Sequence, residues 1–421
     1  MNKSSLNRFI YMFAIFLVCV NIINAQTQDN FKEIEGKVVD KATNKPLVFA
    51  DIVINNTNIS TVTNSDGEFL LKVPEDFIDE TISVTYLGYE KIDLKISSIG
   101  INEIIELEPG FTKLNEISII ATLMEDAREL VKKTLRKKST IYNNHNTLMT
   151  AFYRETIKKR KKNASISEAV VKIHKQPYNN YRDDHIELVK ARKNTDYTKL
   201  DTIALKLQGG PFSNLYTDII KYPEFIFTEE SMELYNFSYS PTTTINNKLV
   251  YVIDFKQKGH VKSPLYYGKL YIDASSLALK SAVYSLNVSN RELSSRMFVR
   301  KKPRKVEVYP KEANYRVNYR TQNDKWHYAY SNISLTFKVN WKGKLFNSTY
   351  TLNSEMAITD WEIRDTKIAE IRSQLIRPST ILTEMASGFS DPRFWGPYNI
   401  IEPEKSIESA IKKIQRQLKR T

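Results

Sequence analysis

Over the two hundred residues from Leu148, apolar and polar residues mostly alternate with a period of two. No other feature constrains the fold as strongly. A period of two places every second side chain on one face of an extended strand, so such a run folds as antiparallel sheet with one face on a core. Residues 248–255 alternate cleanly, residues 266–273 and 278–286 flank a turn at 274–277, and residues 326–339 and 344–357 form another pair. Short connections between such runs predict one large curved antiparallel sheet. At its start, residues 150–155 and 166–173 form a hairpin with Lys158, Lys159, Arg160, Lys161 and Lys162 near its tip. Five cations at a tip are either solvated or a candidate anion- or partner-binding patch.

Helical spacing occurs at two places flanking the sheet. Leu123, Ala127, Leu130, Val131 and Leu135 recur on one helical face, and Lys132, Lys133, Arg136, Lys137 and Lys138 crowd the C-terminal end, where cations complement the helix dipole. A strand is expected just before it at 116–121. At the far end Ile407, Ala410, Ile411, Ile414 and Leu418 make the apolar face of a closing amphipathic helix suited to packing on the sheet.

The N-terminus carries an address. Lys3 and Arg8 precede twelve continuous apolar residues at 9–20, and Ala25 supplies a small residue before Gln26, the order expected of a cleaved secretory signal. Twelve residues fall short of the roughly 20 that span a bilayer, so no membrane segment is expected after cleavage. The only cysteine, Cys19, would leave with the signal, and the exported chain would have no disulfide. The remaining length is too small for a 22-strand receptor barrel after a first domain.

Between the signal and residue 111 lie short β-branched runs with turn formers between them. Ile34-Glu-Gly-Lys-Val-Val-Asp, Asn44-Lys-Pro-Leu-Val-Phe-Ala-Asp-Ile-Val-Ile, Thr63-Asn-Ser-Asp-Gly-Glu-Phe and Val84-Thr-Tyr-Leu-Gly-Tyr-Glu carry the pattern, and Asp66-Gly67 is a hairpin signal. These segments resemble the carboxypeptidase regulatory-like domain, which implies a transthyretin-like (prealbumin-like) β-sandwich of about seven strands with no chemistry of its own. Asn64, Asp66 and Glu68 have no further calcium ligands at the spacing a calcium loop needs, and read as a polar hairpin tip. Two more resemblances concern the second part. The hairpin of residues 266–286 is similar to strands of periplasmic lipoprotein-carrier folds, which implies a half-open barrel around an apolar cavity. Phe152-Tyr-Arg-Glu155, Ser167-Glu-Ala-Val-Val171 and Phe394-Trp-Gly-Pro-Tyr-Asn-Ile-Ile-Glu-Pro-Glu404 resemble an uncharacterised group of Bacteroidetes-type envelope proteins that pairs such a sandwich with a β-rich domain. The expected organisation is a signal at 1–25, a sandwich at 26–111, a strand and linking helix at 112–147, a β-rich domain at 148–402 and the closing helix at 403–421.

Charge divides the chain in two. Residues 26–111 hold 7 lysines against 16 carboxylates, a net of −9, whereas residues 112–421 carry +21. For an exported chain this bias points to anionic envelope components or an acidic envelope protein rather than to nucleic acid.

Motifs for catalysis are not found. None of His145, His174, His185, His260 or His327 is followed by Glu at the third position, as a zinc carboxypeptidase requires. There is no Gly-x-Ser-x-Gly, and Gly209-Gly-Pro211 lacks the lysine of a phosphate-cradling loop. No catalytic residue, metal or cofactor is expected. Three function classes follow: a non-catalytic envelope binding or scaffold protein, a carrier of a lipid or other apolar ligand in the curved sheet, and a hydrolase whose carboxylates meet only in the fold.

Overall fold

The structure is a computed structural model that describes residues 31–110, 126–160, 162–195, 208–245, 248–300, 302–343, 347–365, 368–388, 394–405, 407 and 409. The expected signal, the strand at 116–121, Lys161 and nearly all of the closing helix lie outside the described residues.

Seven strands make the N-terminal sandwich, as the turn spacing predicts. One sheet has the order β4 (Glu68–Pro74), β1 (Phe31–Asp40), β7 (Glu103–Leu107), and the other β3 (Ser60–Val62), β2 (Asp51–Ile54), β5 (Thr81–Thr85), β6 (Ile92–Lys95). Between them Val38, Ile52, Leu71, Val73, Ile82 and Leu107 are fully buried. At the β3–β4 turn, Asn64 Oδ1 accepts from the Asp66 and Glu68 amides at 2.9 Å each, which spends the side chain on the turn itself. One pairing exceeds the sequence reading: β1 and β7 run parallel.

The second part is a single sheet of twelve strands. They are β8 (Thr147–Lys159), β9 (Lys162–Lys175), β10 (His185–Thr195), β11 (Tyr235–Ile245), β12 (Lys248–Gln257), β13 (Tyr266–Asp273), β14 (Leu279–Leu286), β15 (Val306–Gln322), β16 (Lys325–Trp341), β17 (Ser348–Ile363), β18 (Leu375–Ile376) and β19 (Ser387–Gly388). From β11 to β17 each strand pairs with the next; β17 then pairs with β8, followed by β9, β10 and β18, with β19 also on β10. The first strand of the domain therefore lies inside the sheet. Local residues explain the turns: Asn323 and Asp324, with φ of 48° and 59°, form a two-residue hairpin loop of the kind that follows strand twist. Gly268 lets β14 approach closely, because a Cβ there would strike the Val283 carbonyl.

Alternation assigns two faces. Tyr153, Val171, Met356 and Ile358 point to an inner face, where they pack with Leu130 and Val131 of α1 (Ala127–Arg136) and with Phe212 and Leu215 of α2 (Pro211–Leu215). Asp126 caps α1 by accepting from the Arg128 amide at 3.0 Å. Segment 208–234, which includes α3 (Glu229–Met232), fills this face further with Ile219, Ile220, Ile226 and Phe227. Beyond it, α4 (Arg291–Phe298) lies along β15, and Phe298 joins Val306, Phe337 and Leu352 in a smaller cluster. Phe152, Val170, Tyr330 and Ala357 point to the outer face and pack with Val62 and Leu70 of the sandwich and with Trp395, Ile400 and Ile401. Sandwich, sheet and C-terminal segment thus share one buried seam. Polar contacts lace it: Ser60 Oγ donates to the Ile358 carbonyl at 3.0 Å, Thr61 Oγ1 to Ile400 O at 2.9 Å, and the Lys72 amide to Asn399 Oδ1 at 2.7 Å.

Candidate functional site

The three segments of the envelope-protein resemblance meet at the seam. Register places Glu355 on β17 opposite Arg154 on β8, Arg154 opposite Glu168 on β9, and Glu168 opposite Arg192 on β10. The result is a row of alternating charge across four neighbouring strands, every member at most 8 % exposed. Arg154 reaches Glu168 at 2.7 Å and Glu355 at 3.3 Å, and Arg192 reaches Glu168 at 2.7 Å. The C-terminal segment roofs the row. Arg154 Nη2 donates to the Ile401 carbonyl at 2.7 Å, and Trp395 lies 4.7 Å from the Arg192 guanidinium while packing edge-on against Phe152.

Position in the row sets the proton affinities. Burial alone would raise Glu168, but Arg154 and Arg192 outweigh it and hold the carboxyl below its ordinary value. Glu355, at the end of the row, has one arginine beside it, and burial prevails to raise it. Arg154 is lowered by burial and raised more strongly by Glu168 and Glu355, so it stays charged. Arg154 and Glu168 lie within the segments of the envelope-protein resemblance, whereas Arg192 and Glu355 lie outside them and carry no signal in the sequence.

On the inner face a second set of buried charges closes on itself. Lys175 Nζ lies 2.7 Å from Asp184 and 2.8 Å from Asp218, and the hydroxyls of Tyr178 and Tyr319 donate to Asp218 at 2.9 Å, that of Tyr222 to Asp184 at 2.6 Å. Lys221 donates to the Pro177 and Asn180 carbonyls, and burial brings its pKa down to about 8. Glu155 differs. Buried opposite Ser167 and Ser354, it accepts from the Tyr153 hydroxyl at 2.9 Å and faces no cation in its hydrogen bonding, and burial pushes its pKa up to about 7.

The basic run sits at the β8–β9 tip, as its spacing predicts, and the fold divides it. Lys158 pairs with Glu404 at 3.3 Å, and Lys159 lies 5.9 Å from the Tyr350 ring. Arg160 takes a left-handed φ of 56°, donates its amide to Thr349 O at 2.9 Å and exposes its side chain; Lys162 is also exposed. Lys161 is outside the described residues.

The histidines do not converge. His174 and His185 are cross-strand neighbours, His174 Nε2 lies 3.3 Å from Glu187, and burial lowers the His174 pKa. His327 packs 4.1 Å from the Trp361 ring. Among the described residues no three metal-ligating side chains cluster, and no described helix is long and apolar enough to cross a membrane. A recess of ≈ 360 Å³ beside the β12–β13 loop is lined by polar Gln257, Lys262, Ser263, Asn287 and Asn290.

No curated protein sequence matches this chain significantly. Solved structures resemble it only loosely. A DUF1329 family protein from Desulfovibrio piger is 8 % identical with a TM-score of 0.27, covering 60 % of this chain and 100 % of its own. A putative outer membrane lipoprotein-sorting protein domain from Vibrio parahaemolyticus is 10 % identical with a TM-score of 0.26, over 58 % and 95 %. A LolA superfamily protein from Nitrosomonas europaea is 8 % identical with a TM-score of 0.20, over 59 % and 97 %. At such scores neither ligand nor activity transfers. Residues 34–119, which include the sandwich strands, match the model of the CarboxypepD_reg-like domain.

Proposed function

We propose that this chain is an exported, non-catalytic scaffold of the cell envelope, in which the acidic sandwich docks one partner and the basic sheet domain holds a ligand or a second partner. The observation that carries this reading is the shared seam of Val62, Leu70, Phe152, Val170, Tyr330 and Trp395, which joins sandwich and sheet through apolar contact and through the Ser60 hydroxyl on the Ile358 carbonyl, while the buried charge row ties the C-terminal segment to the sheet. A joint of that kind fixes an acidic surface and a basic one at a set separation, which is what a scaffold needs. Export rests on the sequence of residues 1–25. The carrier alternative would require the inner face, packed by α1 and segment 208–234, to open.

Recovery of the full chain from its native envelope after cross-linking, with protein and lipid partners identified by mass spectrometry, tests the reading. A reproducible protein or anionic partner is expected. One equivalent of an apolar ligand would replace the scaffold with the carrier, and turnover of an envelope substrate would replace it with the hydrolase.

A further inference from the structure

The β8–β9 tip does not stand alone. Val306 pairs with Trp341, Val339 with Ser348, Tyr350 with Lys159 and Lys159 with Lys162, so the ends of β15, β16, β17, β8 and β9 lie side by side at one edge of the sheet. With strands spaced by about 4.8 Å, this edge is about 19 Å wide. Along it stand Arg160, Lys162, Lys302, Arg304, Lys305 and Lys342, all exposed and none paired with a carboxylate of a described residue. Among the described residues, two carboxylates share the edge and are occupied: Glu307 accepts from the Asn340 amide group at 3.2 Å, and Glu404 holds Lys158. At the opposite end of the sheet the signs mix, with exposed Asp324, Glu362 and Asp365 among Lys137, Lys248 and Lys325.

We infer that this strand-end edge is a docking surface for an anionic lipid bilayer, an assignment that rests on the scaffold reading and names one of its partners. The cations are spread in a row and do not converge on a pocket, which suits a layer of many phosphates better than a single bound anion. Apolar side chains accompany them. Met297, on α4, is 51 % exposed, and Trp341 ends β16 half-buried against the Val306 and Phe337 cluster. An acidic protein would need a shaped counter-surface, whereas a bilayer needs only a row of exposed charge.

Each lysine or arginine near an anionic membrane strengthens binding about fivefold. The experiment measures co-sedimentation of the full chain with phosphatidylcholine vesicles, with and without phosphatidylglycerol. The parent should bind the phosphatidylglycerol vesicles at low salt. The triple variant Lys302→Ser, Arg304→Ser, Lys305→Ser should bind about a hundredfold more weakly, and Arg160→Ser with Lys162→Ser about 25-fold. Lys137→Ser, Lys248→Ser, Lys325→Ser removes equal charge at the opposite end and should lose only a few-fold. Unfolding midpoints should match the parent for all three. Equal losses in the edge and opposite-end triples would overturn the edge as a site, leaving net charge alone. A parent that ignores the vesicles but still retrieves a protein partner from the envelope would sink the lipid assignment and spare the scaffold; failure of both would sink both. Capture of an acidic protein, abolished by the edge triple with vesicle binding unchanged, would also overturn the lipid assignment.

Discussion

Arg154 lies within β8 and Arg160 just past its end, and the two meet opposite circumstances. Arg154 is 2 % exposed, held by Glu168 and Glu355 and by two carbonyls of the C-terminal segment. Arg160 stands in solvent at the strand end with no described carboxylate beside it. Burying an ion costs several kcal/mol, so buried charge persists only where opposite charge and hydrogen bonds compensate it. An exposed cation bears no such penalty and can remain unbalanced, which leaves its field for something outside the chain. The charge row is therefore committed to holding four strands and the C-terminal segment together, and the strand-end edge is available for binding.

Breaking the row should have the largest effect. Arg154→Met leaves Glu168 and Glu355 short of a partner, and urea unfolding should show a loss of about 3–5 kcal/mol at neutral pH. Acid sharpens the test. In the parent, Glu168 is held below its ordinary value, so its contribution is present above its unfolded pKa and is lost as pH falls through the folded value. In the variant that acid loss should shrink or reverse.

Glu155 tests whether a buried carboxylate without a cation is a burden. Its folded pKa of about 7 lies above the unfolded value, so the native state binds the extra proton, and stability falls as pH rises from about 4.5 to about 7. Glu155→Gln should be more stable than the parent above pH 7 by up to about 3 kcal/mol, with the gain vanishing below about pH 4.5. A gain independent of pH would refute that assignment. The smallest effect is expected at Arg320, which reaches Asp51 of the sandwich at 3.2 Å with both side chains partly exposed. Arg320→Ala should cost about 1 kcal/mol or less in thermal unfolding. A larger loss would mean that the seam depends on ion pairs outside the buried row.

Much of the fold was legible because period-two alternation and turn chemistry are local signals. The hairpins of β12 to β14, the β16–β17 pair and the sandwich strands follow from them. Closure of β17 on β8 was not legible, since pairing across such a separation depends on register. Segment 208–234 escaped because helices of four or five residues carry no measurable period. The charge row escaped for another reason. Arg154 and Glu355 occupy alternate positions on their strands and so read as solvent-facing, yet both faces of β8 are buried. A hint was present in Leu148-Met-Thr-Ala-Phe-Tyr153, where apolar residues occur on both parities, the mark of a strand covered on both sides. At the strand-end edge the run 158–162 was visible, but its neighbours at 302–305 and 342 become neighbours only through register.

Hydrogen exchange, read by mass spectrometry on the full chain with and without anionic vesicles, addresses both regions at once. Slowed exchange is expected in peptides covering the strand ends near 158–162, 300–306 and 341–349, with those around Arg154, Glu168, Arg192 and Glu355 unchanged. Protection that appears at the seam or in the sandwich, and spares the strand ends, would contradict that expectation.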